Sequence, residues 1–259
     1  MFNIAQNIGS LIINSVEVIG KMIRFSLISI IGISSRPFYT NIFINQCINI
    51  GFFSLPVVGM TTLFAGMVLA LQSYAGINPN LASTTIPNLI VLAITRELAP
   101  VLGGLMVAGR IGASIAAEIG TMRVTEQIEA LETLSTDPIK YLVIPRILAG
   151  IITLPILVLI GDIIGILGGY IVSVSKLGLN PASYLNNTIE ALSLIGVISG
   201  LTKASVFGFI TTIMGCYQGY NSSGGAEGVG KATTNAVVWS SIMILIANYI
   251  ITEMFVGVW

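Results

Sequence analysis

Three charged side chains, Arg96, Glu97 and Arg110, sit within an otherwise apolar helical stretch, RELAPVLGGLMVAGR. An ionised group inside a bilayer costs roughly 2.5–3.5 kcal/mol per residue on insertion scales, so charges placed there need partners or water and mark a functional site. The chemistry open to them is recognition of opposite charge, a guanidinium taking phosphate or carboxylate and a carboxylate taking an ammonium. Covalent chemistry is poorly supplied. The chain has no histidine, which removes the commonest general base and metal ligand. Asp162, in IGDIIG, has no second aspartate placed to form a catalytic dyad. Cys47 and Cys216 form no CxxC pair and read as free thiols. The segment GAEGVGKA at 225–232 nearly spells G-x-x-x-x-G-K-[ST]. Ala232 lacks the hydroxyl that would hold magnesium, and the context is not strand-then-helix. Its glycines read instead as a tight turn.

The elements that must position these charges are membrane spans. Of 259 residues 54% are hydrophobic and 8% charged, with mean hydropathy +0.94. A soluble domain carries about 25% charged residues, so the sequence predicts an all-α integral membrane protein. Net charge is zero and no basic run occurs, which argues against a nucleic-acid partner. Five apolar runs approach the ~20 residues needed to cross a bilayer. They cover about 51–74, 87–118, 147–173, 192–217 and 237–259. Pro56 and Gly59 are expected to kink the first or make it re-entrant. Residues 1–36 form a separate unit, expected to be an interfacial amphipathic helix. Asn3, Asn7, Ser10, Asn14, Glu17, Lys21 and Arg24 share one stripe of it, with Ile4, Ile8, Leu11, Val18 and Met22 alongside. Residues 37–259 form the transmembrane domain. Lys21, Arg24, Arg36, Arg123, Lys140, Arg146 and Lys231 fall on one side of the spans and Lys176 on the other, so the N-terminus is expected to be cytoplasmic.

Between the second and third runs lies a short acidic helix. Val124, Ile128, Leu131 and Leu134 are expected on one face, and Glu126, Glu129 and Glu132 as a ridge on the other. Asp137-Pro138 reads as an N-cap followed by proline in the first turn of the next helix. A surface helix joined rigidly to two spans suits the transmission of force from a cytoplasmic partner. Small residues recur at every fourth position in Ala108, Gly112, Ala116 and Gly120, and in Gly161, Gly165 and Gly169. Such stripes let helix backbones approach closely, either within one subunit or across a dimer.

Several long segments carry a resemblance: FAGMVLALQSY, the block from RELAPVLGG to KYLVIPR, KASVFGFITTIMGCYQGY, and GGAEGVGKATTNAVV. In these the chain resembles the MlaE/YrbE permease family, membrane subunits of ABC-type lipid transporters that work with MCE-domain proteins. The resemblance implies a homodimer bound to cytoplasmic ABC ATPase subunits, beneath a periplasmic MCE-domain protein, with a small STAS-domain protein in several systems. It implies glycerophospholipid cargo and no cofactor in this subunit, ATP and Mg2+ belonging to the partner ATPase. The acidic helix would be the coupling helix, through Glu126, Glu129, Leu131, Glu132 and Leu134. Arg96, Glu97 and Lys203 match a polar cluster whose fourth member, an aspartate in the family, reads Asn248 here. Arg96 and Lys203 would meet lipid phosphate or else hold the helices together by internal salt bridges, and Leu69 and Tyr74 would contact acyl chains. The implied location is a bacterial inner membrane, with a plastid inner envelope the less favoured setting. An ion-coupled secondary carrier of an amphipathic substrate is the competing reading. It would also bury charge at midplane, but evident repeat halves are lacking.

Overall fold

The computed structural model describes residue 17 and residues 20–33, 39–78 and 81–257. The N-terminal stripe positions Asn3, Asn7, Ser10 and Asn14 lie outside the described residues. The helices are α1 (residues 20–33), α2 (Thr40–Ile50), α3 (Leu55–Gly76), α4 (Ala82–Val124), α5 (Gln127–Thr133), α6 (Ile139–Ser175), α7 (Pro181–Ala191), α8 (Leu194–Tyr220) and α9 (Gly225–Val256). Strands are absent among the described residues. Five helical stretches, with α2 and α3 counted as one, are long and apolar enough to cross a membrane. The chain is a multi-pass all-α membrane protein.

In lipid, packing of small residues brings helices together more than hydrophobic burial does. Helix α6 runs between α3 and α8, α9 lies along α8 and α4, and α7 packs on α4. The stripe at Gly161, Gly165 and Gly169 faces Thr62 of α3 and Ile94 and Ile90 of α4. The stripe containing Gly112 and Gly120 meets Thr211, Ser240, Ser222 and Val229. Both stripes therefore pack within one subunit. Tyr184 of α7 is buried beside Tyr170, and burial pushes its phenol up to about 12.

Several boundaries correct the sequence reading. The first spanning stretch is interrupted at Gly51 and the 3-10 turn Phe52–Ser54, not at Pro56 and Gly59. Pro56 sits in the first turn of α3, where its missing N–H costs nothing, so α3 continues unbroken for 22 residues. The last span begins twelve residues before 237, at Gly225. Gly224 and Gly225 have φ of +90° and +68° and make the turn, whereas 226–232 is helical. Lys231 Nζ pairs there with Glu227 Oε1 one turn away, at 2.8 Å. The phosphate-loop lookalike is thus the opening of a helix.

Helix α5 is shorter than the expected amphipathic helix. Glu126 stands just ahead of it with φ +59°, and Val124 ends α4. Ile128 is buried and Leu131 packs partly against the core, but Leu134 is 74% exposed and does not share their face. Glu129 is bonded to Arg123 and so is not a free member of the ridge, while Glu126 and Glu132 are exposed. Asp137 Oδ1 accepts from Ile139 N at 3.0 Å, capping the start of α6.

Of the helix expected to be interfacial, α1 is the main described part. Met22 and Ser29 are buried, Phe25 stacks edge-on against Tyr217, and Glu17 and Lys21 form an i,i+4 pair at 2.8 Å. That pairing holds the exposed Glu17 carboxyl below its ordinary range and the Lys21 ammonium above its own.

Candidate functional site

Helix α4 contains two π-helical turns, Ile94–Leu98 and Ala108–Gly112, which carry Arg96 with Glu97 and Arg110 respectively. A π turn holds one extra residue, so it re-aims side chains and carbonyls relative to a regular helix, and it recurs at functional sites. All three intramembrane charges of the sequence motif stand on such turns.

The first π turn meets α8 through Gly200. A Cβ at that position would lie 2.3 Å from the Thr95 carbonyl oxygen, so only glycine permits the approach. Lys203, one turn further along α8, is then carried against the π turn. Its side chain is 0% exposed, and Nζ donates to Glu97 Oε1 at 2.7 Å and to the Arg96 carbonyl at 2.9 Å. Burying an ammonium is expensive unless it is paired and hydrogen-bonded, and both conditions are met.

Helix α9 completes the cluster. Asn248 Nδ2 donates to Glu97 Oε2 at 3.1 Å, and Thr252 Oγ1 donates to Glu97 Oε1 at 3.1 Å. The Asn248 carbonyl lies 2.8 Å from the same hydroxyl, so Thr252 shares its single O–H between the two acceptors. The Glu97 carboxylate is therefore the common acceptor for groups from two other helices while remaining 38% exposed. Asn248 Oδ1 is buried without a partner among the described residues.

Arg96 points elsewhere. Its Nη2 lies 3.4 Å from Ser193 Oγ, the side chain that also caps Gly196 N at the start of α8. Its guanidinium is directed to the α8 N-terminus, and its backbone carbonyl accepts from Lys203 in the Glu97 cluster. Leu69 is partly buried in the apolar cluster of α3, α4 and α6, and Tyr74 is exposed near the end of α3. Neither is a hydrogen-bond partner of Glu97 or Lys203 among the described residues.

Thr252 and Ser193 belong to the site although sequence reasoning passed over them. Thr252 had a usable signal, being a hydroxyl one helical turn beyond Asn248 in an apolar run. Ser193 could be read only as an N-cap, and the π turns left no trace in residue spacing.

The arrangement supplies charge recognition and a braced three-helix junction. The described residues contain no group of three or more histidine, cysteine or acidic side chains suited to a metal.

Comparison with known proteins agrees with this architecture. The family model described as Permease MlaE matches residues 43–254. A probable ABC transporter permease protein of Rickettsia bellii is 60% identical over 98% of each chain. A probable ABC transporter permease protein of Synechocystis is 45% identical over 77% of this chain and 76% of its own. The intermembrane phospholipid transport system permease protein MlaE of Haemophilus influenzae is 35% identical over 80% of both chains. A match of this extent, over all five candidate spans, places the chain in the MlaE permease family.

Proposed function

We propose that this chain is the permease subunit of an ATP-driven transporter that moves glycerophospholipids between a bacterial inner membrane and a periplasmic MCE-domain protein, contributing to outer-membrane lipid asymmetry or supply. Family membership and the phospholipid-transport name of the Haemophilus influenzae relative support the cargo. The observation that carries the reading at the level of the site is the Lys203–Glu97 pair inside apolar spans, with Lys203 fully buried and Glu97 part-exposed. Removing one member of such a pair strands the other, so any shift of α8 or α9 against α4 changes the electrostatics at once. A lipid phosphate arriving beside it has Lys203 and Arg96 as its cationic partners.

On this reading two copies form the lipid pathway, with Leu69 and Tyr74 on its apolar side. ATP and Mg2+ are handled by an ABC ATPase, and a small STAS-domain protein is a further candidate subunit. The ATPase docks at α5, where Glu126, Glu132 and the projecting Leu134 are exposed. Leu131 and the Arg123–Glu129 pair join α5 to the ends of the spans, so a push on α5 reaches α4 and α6. This subunit performs no covalent step. The test is copurification and reconstitution: with an ABC ATPase from its own genome and lipid vesicles, the chain should support transfer of a labelled phospholipid that depends on ATP. Transfer driven by an ion gradient without ATP would refute the proposal.

A further inference from the structure

The second π turn of α4 faces a different polar cavity. It has a volume of about 200 Å3 and is lined by Gln46, Asn49, Arg110, Ser114 and Glu118. Arg110 Nη1 donates to Ser54 Oγ at 2.7 Å and to the Asn49 carbonyl at 3.3 Å, which anchors one edge of the guanidinium. Its remaining N–H groups have no partner among the described residues. Glu118 does not neutralise it, because Glu118 Oε1 is bound by the buried Arg146 at 2.7 Å. The cavity therefore keeps the positive charge of Arg110. Gln46 is only 9% exposed and lines the same space, and its amide makes no hydrogen bond to a described residue. The amide is thus open to the cavity, where water or a ligand can satisfy it.

Position narrows the ligand. Helix α4 has 43 residues, about 64 Å at 1.5 Å per residue, whereas the hydrocarbon core is about 30 Å thick. The helix therefore extends past the core at one or both ends. With α4 centred on the core, each end would project about 17 Å, and Arg110, fourteen residues or about 21 Å before Val124, would lie about 4 Å inside the core boundary, within reach of the headgroups for an extended guanidinium. Ser114, Glu118 and Thr121 continue an exposed polar stripe from Arg110 towards α5, and a second, open cavity shares Ser114 and Glu118 with the first.

We infer that this cavity binds the phosphate of a glycerophospholipid from the leaflet on the α5 side, Arg110 taking the phosphate oxygens and Gln46 adding a hydrogen bond. This rests on phospholipid being the cargo and adds an entry site distinct from the Glu97–Lys203 cluster. Free phosphate shares the chemistry, so the test separates the two. A photo-crosslinking residue is placed at Ser114 in the full chain in membranes, and a second at the exposed Tyr249 beside Asn248. Each is challenged with labelled phosphatidylethanolamine, with diacylglycerol of the same acyl chains, and with labelled inorganic phosphate. Ser114 should capture the phospholipid in excess over diacylglycerol. Arg110→Ala should cut that excess about tenfold or more, the loss of one charge-assisted hydrogen bond, and Arg110→Lys by less. Gln46→Met, which keeps the side-chain volume, should lower it by a smaller factor at unchanged membrane abundance. Equal capture of diacylglycerol, or capture indifferent to both Arg110→Ala and Gln46→Met, overturns the inference. So does Arg110-dependent retention of inorganic phosphate without lipid capture. Absence of phospholipid capture at Ser114 alone rejects this cavity, whereas absence at Tyr249 as well rejects phospholipid cargo itself.

Discussion

Lys203, Asn248 and Thr252 all donate to Glu97, so replacing that carboxylate weakens three interactions at once. Glu97→Gln is expected to impair transport more than Asn248→Ala. Breaking a fully buried pair costs about 3–5 kcal/mol, and the partial exposure of Glu97 brings its cost below that range. Asn248→Asp should partly rescue Glu97→Gln by returning a carboxylate to the cluster. The check is a double-mutant cycle on lipid transfer, in which additive effects among Glu97, Lys203 and Asn248 would mean that the three act independently. Thr252→Val should also reduce transfer, by about tenfold if the lost bond to the carboxylate is worth about 1.5 kcal/mol, and Thr252→Ser should not. Equal activity of the two variants would remove the hydroxyl from the site. At this scale the sequence exposes the charges, because an arginine or glutamate in an apolar run is conspicuous. It hides their directions: Arg96 and Glu97 are neighbours, yet one reaches Ser193 and the other Lys203.

Helices position those side chains through a few close approaches, and these set how tolerant each element is. Gly200→Ala places a methyl 2.3 Å from the Thr95 carbonyl, whereas a Cβ at Gly76 meets nothing within 4 Å. Overpacking of this kind costs about 1–3 kcal/mol. Membrane abundance and thermal stability in detergent should therefore fall for Gly200→Ala and stay level for Gly76→Ala. Equal stability would show that α8 can move away from α4 without penalty. At α5, joint replacement of Glu126 and Glu132 by lysine should reduce copurified ATPase at normal membrane abundance, since exposed polar changes rarely cost more than 0.5 kcal/mol of stability. Unchanged ATPase recovery would take α5 out of the coupling role. Apolar runs revealed the spans, but their ends were concealed for local reasons. Gly225–Ala232 has poor intrinsic helix propensity, yet it is helical as the first turns of α9, with Ala232 buried and the exposed Glu227–Lys231 pair adding little. The one-residue excess of a π turn blurs hydrophobic periodicity without leaving a breaker such as proline at the turn itself.

For the whole molecule, the two polar sites on α4 lie on successive π turns of one continuous helix, and that helix leads to the exposed acidic segment at α5. A motion imposed at α5 can thus be felt at Arg110 and at Glu97, while α8 and α9 supply the opposing surfaces. The architecture was legible in composition and hydropathy because a bilayer demands long apolar helices. The interior assignment of the small-residue stripes was not, since the same spacing serves contacts within and between subunits. The most direct test of the account is phospholipid transfer by this chain reconstituted with the proposed ABC ATPase and the proposed MCE-domain protein in vesicles of defined lipid, with and without ATP. Transfer should require ATP and fall in Glu97→Gln while ATPase binding at α5 is retained. Transfer that proceeds equally without ATP, or that is unaffected by Glu97→Gln, would contradict it.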